Sequence, residues 1–155
     1  MESCQREYRN AFLMRTPGCQ VSQLFNTVIA SLQAAALRGG AQRELLSQAV
    51  RANAALMKTP SPLAPGLAQL GTAVLHALDG RTEQALQHSR LARGALTSSS
   101  FQHACGFLEG LHEGGDAGRA KRAALRSWLE GHGFRNVDQA LLTVIPGLDL
   151  LHARY

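Results

Sequence analysis

No run of apolar residues in this chain approaches the roughly 18 that a bilayer-spanning helix needs, so no membrane span is expected. The N-terminus, MESCQREYRN, has no apolar core of the kind an export signal carries. The three cysteines, Cys4, Cys19 and Cys105, are too few and too scattered for a disulfide framework, and an odd count fits a reducing compartment. A cytoplasmic protein is therefore expected. Aromatics make up only 5% of the residues, and isoleucine and valine are scarce. No segment alternates long enough to be a strand, which excludes a mixed α/β fold. Gly-x-Ser-x-Gly is missing around Ser98, Ser99 and Ser100, so these serines read as a capping and loop cluster rather than a nucleophile.

What is there is alanine and leucine. They dominate an apolar content of 45% in 155 residues, the length of one domain able to bury a core unaided. With Gln and Arg they are helix-favouring types, and small side chains suit close helix contacts. Leu67, Leu70, Gly71, Val74, Leu75 and Leu78 form one helical stripe, and Phe101, Ala104, Cys105, Leu108 and Leu111 form another. Ala117, Ala120, Ala124, Leu125 and Trp128 are expected to line the next helix. Val137, Ala140, Leu141, Val144 and Ile145 line the last clear one. Ser99 with Gln102, and Asn136 with Gln139, are spaced as capping boxes. Thr16-Pro17-Gly18 separates a short helix, Cys4–Met14, from one over 20–37. Gly39-Gly40 leads into 41–57, which the prolines 60, 62 and 65 end; Asp79-Gly80 and Gly114-Gly115 are helix-to-helix corners.

A repeat underlies these stripes. Gly71 and Gly106, Gly80 and Gly115, and Ala85 and Ala120 are each 35 residues apart. A period near 34 with small residues at such places marks a tetratricopeptide-type hairpin, where Gly or Ala lets two antiparallel helices approach. The expected fold is all-α: a right-handed stack of antiparallel helical hairpins, tetratricopeptide-repeat-like, with about seven or eight helices in a single domain over 1–155. The segment 1–38 carries the weakest pattern, and a tail is expected over about 148–155. The first helix of each hairpin would line a concave surface, which puts candidate partner contacts at Gln69, Thr72 and His76.

The formal charge is +5, with seven Lys/Arg against three Asp/Glu before residue 78 and nine against eight after it. Arginines stand singly along helices, a pattern of solvated faces more than of a nucleic-acid site. The one dense group follows GGDAG: Arg119, Lys121, Arg122 and Arg126. Arg119, Arg122 and Arg126 fall on one helix face at i, i+3 and i+7, able to grip phosphates or an acidic peptide. A phosphate-binding loop is excluded, because no strand precedes the glycines and no hydroxyl follows Lys121. Bases without interleaved aromatics do not support sequence-specific nucleic-acid recognition. A regulatory nucleic-acid adaptor using helix 119–126 stays as the alternative reading. His103 and Cys105 lie at i and i+2 and point to different sides of a helix, so no metal site is expected. Cys105 reads as a core thiol, Trp128 as a core ring, and Asp116 and Asp138 as helix N-terminal acids. No carboxylate pair is expected to be buried, and no cofactor or enzymatic activity is expected.

Gly114-Gly115-Asp116-Ala117-Gly118-Arg119-Ala120, then Trp128, then Gly133-Phe134-Arg135-Asn136, and finally Pro146-Gly147 resemble the extreme C-terminus of large bacterial serine/threonine protein kinases. In those proteins a kinase domain precedes an AAA-type or STAND-type ATPase module and a long tetratricopeptide-like tail. The likeness covers roughly 40–147. A kinase glycine-rich loop, His-Arg-Asp, Asp-Phe-Gly and a Walker lysine are all missing, so the resemblance implies the tail alone. It implies a non-catalytic protein–protein interaction, scaffold or sensor segment in bacterial signalling, partnered by an upstream kinase or ATPase module. Tyr8, Phe12 and Leu13 on the first helix add an expected tendency to self-associate.

Overall fold

The computed structural model describes residues 16–37 and 42–152. Among them the chain is all-helical: α1 Pro17–Leu37, α2 Gln42–Met57, α3 Ala64–Leu78, α4 Thr82–Ala95, α5 Ser99–Glu113, α6 Gly115–Gly131, α7 Val137–Val144 and α8 Leu148–His152. The expected helix Cys4–Met14 lies outside the described residues. The most extensive packing joins α1 to α2, α3 to α4 and α5 to α6, three antiparallel hairpins stacked in chain order. Pro65 does not help to end α2, as its place in the proline cluster suggested. It stands in the first turn of α3, where a missing N–H costs nothing. Gly114, with φ of 64°, turns the chain between α5 and α6 in a conformation that a side chain would resist.

α3 is the centre of the molecule. Ten of its residues are buried, among them Ala64, Leu67, Ala68, Leu70, Ala73 and Val74, so it is apolar nearly all round, as a helix enclosed on all sides must be. Each buried leucine there contributes about 1.5–3 kcal/mol relative to exposure. The C-terminal stretch is no tail: Pro146-Gly147 turns the chain so that α8 packs on α1 and α3, with Leu148 and Leu151 in the core. α7 packs on α5 and α6, and Leu142 O accepts a hydrogen bond from Gln33 Nε2 of α1 at 2.7 Å. Asn136 caps α7 by accepting from Gln139 N at 3.0 Å. Ser99 caps nothing: α5 starts at Ser99 behind Ser98, with no side-chain cap.

The period of 35 holds for the first helices, since α3 and α5 start at 64 and 99 and end at 78 and 113. It fails for the second ones. The α3–α4 corner has three residues, 79–81, and the α5–α6 corner has only Gly114, two fewer. Two residues on a helix turn it by about 200°. Ala117, Ala120 and Ala124 consequently face outward, and Gly118, Leu125 and Leu129 are buried instead. The inward sets of the three second helices align as Ala49, Ala85 and Gly118, then Asn53, Ser89 and Arg122, then Leu56, Ala92 and Leu125. The middle set is polar in every hairpin. Asn53 Nδ2 donates to Ala68 O at 3.1 Å and to Thr72 Oγ1 at 2.9 Å, and Ser89 Oγ donates to Cys105 O at 2.9 Å. Both tie a second helix to the next hairpin.

The close approach expected at Gly106 and Ala120 occurs elsewhere. A Cβ added at Gly106 would meet nothing within 4 Å, whereas one at Gly110 would lie 2.6 Å from Gly118 O, and one at Gly118 would lie 2.6 Å from Gly110 O. Gly110 and Gly118 are where the backbones of α5 and α6 touch. Gly71 does hold a close contact, but with the Asn53 side chain rather than with a hairpin partner.

Candidate functional site

Between α2 and the C-terminal half of α3 lies an open groove of about 620 Å³. Leu46, Val50 and Met57 form its α2 wall, at i, i+4 and i+11, and Leu75 and Leu78 its α3 wall, with Leu150 of α8 at one end. Val50 is 51% exposed and Met57 42%. The core-facing stripe of α2 is a different one, Ala49, Ala52, Asn53 and Leu56. The sequence carried a signal for this second stripe. Apolar neighbours at 45–46, 49–50 and 56–57 give α2 more apolar surface than one face can bury.

Thr72 and His76 line this groove; Gln69 does not. The Gln69 side chain is hydrogen-bonded to His88 Nδ1 of α4, and the His88 ring stacks on His76 with centroids 5.0 Å apart and planes 22° from parallel. Thr72 Oγ1 donates to Ala68 O at 2.9 Å. α8 packs on α1 and α3, and α7 packs on α5, so the chain's own C-terminal helices occupy part of the first helices' surface.

Burial holds the His76 imidazole below its ordinary value, helped by Arg81 and His88 and opposed by Asp79; burial also lowers His112. Both groups bind protons more readily in the unfolded chain. Their contribution to stability is complete above the ordinary imidazole value and is lost as the pH falls from that value through the lowered folded one. Thermal unfolding is expected at lower temperature at pH 5 than at pH 7.5, and His76→Gln/His112→Gln is expected to flatten that dependence. An equally steep pH profile in the double variant would refute this assignment.

The basic group on α6 is not a free patch. Arg119 pairs with Asp116, and Arg126 pairs with Asp138 at 2.9 Å. Arg122 points inward and donates to Gly110 O. Lys121 Nζ bonds Glu109 at 3.0 Å and Glu113 at 2.7 Å. Arg119, Arg122 and Arg126 thus do not act as one surface, because Arg122 lies on the half-buried side created by the short corner. The hydrogen bond to Glu113, with that to Glu109, raises the Lys121 ammonium, and the same bond lowers the Glu113 carboxyl.

Glu109 is a single buried carboxylate, which no motif in the sequence marks. It is 1% exposed, 35 residues after the buried Val74, and Arg93 reaches the same oxygen, Oε2, at 3.3 Å. Its Oε1 is buried without a hydrogen-bond partner. Glu109 of α5 thereby joins α4 to α6. Cys105 is fully buried and its thiol is pushed up to about 12, first by burial and then by Glu109, so it is an inert core thiol. Trp128 is only half-buried, with the His132 ring stacked on it at 4.0 Å and His103 tilted against it at 5.9 Å. No group of three or more His, Cys, Asp or Glu suited to a metal ion occurs among the described residues. None of their helices is long and apolar enough to cross a membrane.

Compared with protein-family models, curated proteins and solved structures, the chain matches none of them.

Proposed function

We propose that the chain is a non-catalytic protein-interaction module that takes a partner protein into the groove between α2 and α3. In bacterial signalling it would serve as a scaffold or sensor segment beside a serine/threonine kinase or ATPase module, as the resemblance over 40–147 implies. The observation that carries the binding role is the row of half-buried Leu46 and exposed Val50 and Met57, facing Leu75 and Leu78 across an open channel. Apolar side chains left half in water at a groove between two packed helices are what an interface core needs. Outside α2, most of the bases among the described residues are paired. Arg81, Arg90, Arg93, Arg119, Lys121 and Arg126 each face a carboxylate. That pairing also weakens the nucleic-acid adaptor reading, since Arg119, Arg122 and Arg126 are already engaged.

The test uses the full chain and the kinase or ATPase module encoded with it or beside it, with affinity measured by biolayer interferometry. Val50→Asp/Met57→Asp is expected to weaken binding by about tenfold or more, and Arg119→Glu/Arg126→Glu to leave it unchanged. The reverse pattern, binding lost with the arginine pair and kept with the aspartates, would overturn the proposal.

A further inference from the structure

We infer that the occupant of the α2–α3 groove is an amphipathic helix with an apolar face and an acidic flank. This assignment rests on the groove reading above and adds the partner's chemistry. The groove's apolar residues on α2 repeat at helical spacing, Leu46, Val50 and Met57 with Ala54 between, so the wall is a ridge two to three turns long. An apolar stripe of one helix seats against such a ridge through residues at i, i+3 or i+4, and i+7. An extended strand would find no free sheet edge here, because the described residues contain no strand.

The acidic flank follows from a second, independent observation. Every base that forms an ion pair among the described residues belongs to α4, to α6 or to the corner before α4. α2 is different. It exposes Arg43 and Arg51, with Lys58 just beyond its end, against the single acid Glu44, and none of the four forms an ion pair among the described residues. Arg51 reaches only Ser47 Oγ, at 2.7 Å. The three bases also border the groove. Arg43 is three residues before Leu46, Arg51 three before Ala54, and Lys58 four after Ala54, so each neighbours a groove-lining residue on the helix surface. The outer lip of the channel is thus a row of unspent positive charge beside an apolar floor. The complementary surface is apolar on one face and carboxylate-bearing on the side that overhangs this lip. Such charges contribute through orientation and encounter rate, and their effect falls with added salt.

The experiment pans a displayed library of single helices, randomised at apolar-face and flank positions, against the intact chain. The expected winners carry Leu, Met or Phe at i, i+3 or i+4, and i+7, with Glu and Asp in excess on one flank. A winner synthesised as a free peptide is expected to lose affinity by about tenfold when its flank acids become lysine. Arg43→Glu/Arg51→Glu/Lys58→Glu is expected to reverse that preference, while the peptide-side exchange leaves the protein untouched and guards against a folding defect. Neutral or basic-flanked winners that lose binding with Val50→Asp would overturn the acidic assignment and leave the groove reading standing. No enriched helix, or winners indifferent to Val50→Asp, would overturn both. Dimerisation of the chain that Val50→Asp abolishes would assign the groove to a second copy instead. Displacement of the peptide by a duplex oligonucleotide at low salt would assign the bases to nucleic acid, and either result would sink the proposal.

Discussion

Gly110→Ala and Gly118→Ala are each expected to destabilise the protein by about 2–3 kcal/mol, while the same change at Gly94 stabilises it by up to about 1 kcal/mol. The sign is set by what the new methyl meets. At Gly94 a Cβ has nothing within 4 Å, so alanine only relieves the entropy cost of a glycine inside a helix. At Gly110 and Gly118 it would lie 2.6 Å from a carbonyl oxygen of the opposing helix, backbone that cannot rotate out of the way. α5 and α6 must separate, and the contacts around Leu108, Leu125 and Leu129 loosen with them. For a chain of this size the loss corresponds to roughly 5–10 °C in Tm. Calorimetry of the three variants checks the prediction, and the double variant sharpens it. Once the helices have parted for one methyl the second costs little, so Gly110→Ala/Gly118→Ala should cost clearly less than the sum. Strict additivity, or stabilisation at either site, would mean that the two backbones do not touch there. Gly106→Ala belongs with Gly94→Ala, because its Cβ also finds open space.

Removing both cations from Glu109 is expected to have the other large effect. Arg93→Ala/Lys121→Ala leaves a carboxylate buried to 1% exposure without a counter-charge, at a cost of about 3–5 kcal/mol. Each single variant should cost much less, since one cation remains. The acid itself is dispensable by the same logic. Its partners keep 45% and 31% side-chain exposure, and Lys121 retains Glu113, so losing Glu109 strands no charge in the core. Glu109 stands 35 residues after Val74, in the same register of a first helix, and Glu109→Leu should be nearly neutral or stabilising there. In the double-alanine background it should restore most of the lost stability. Chemical denaturation of the four proteins decides the matter. Glu109→Leu as damaging as the double variant would show that the carboxylate is needed for its own hydrogen bonds.

How far the site could be read from the sequence depends on the distance over which each feature is set. Thr72 and His76 line the groove, and the α3 stripe alone places them off its buried face. Gln69 shares their spacing, but His88 arrives from α4 to engage it, and only packing brings α4 there. Arg119, Arg122 and Arg126 illustrate the opposite failure. Spacing put them on one face, yet the question was which way that face turned, and the two residues missing from the Gly114 corner decided it. Val50 and Met57 were visible as surplus apolar residues on α2, but no local rule says whether such a surplus meets another helix or water.

The sequence by itself determined that the described residues are helical, roughly how many helices they form, and that Asp79-Gly80 and Gly114-Gly115 mark corners. These follow from contacts within three or four residues, which periodicity, glycine and proline report directly. Only the tertiary structure decided which faces meet, that Gly110 and Gly118 touch, that Glu109 is buried between Arg93 and Lys121, and that α7 and α8 pack against the first helices. Those outcomes depend on the rotation of one helix against another. A corner one or two residues shorter changes that rotation by 100° or 200° without altering any stripe.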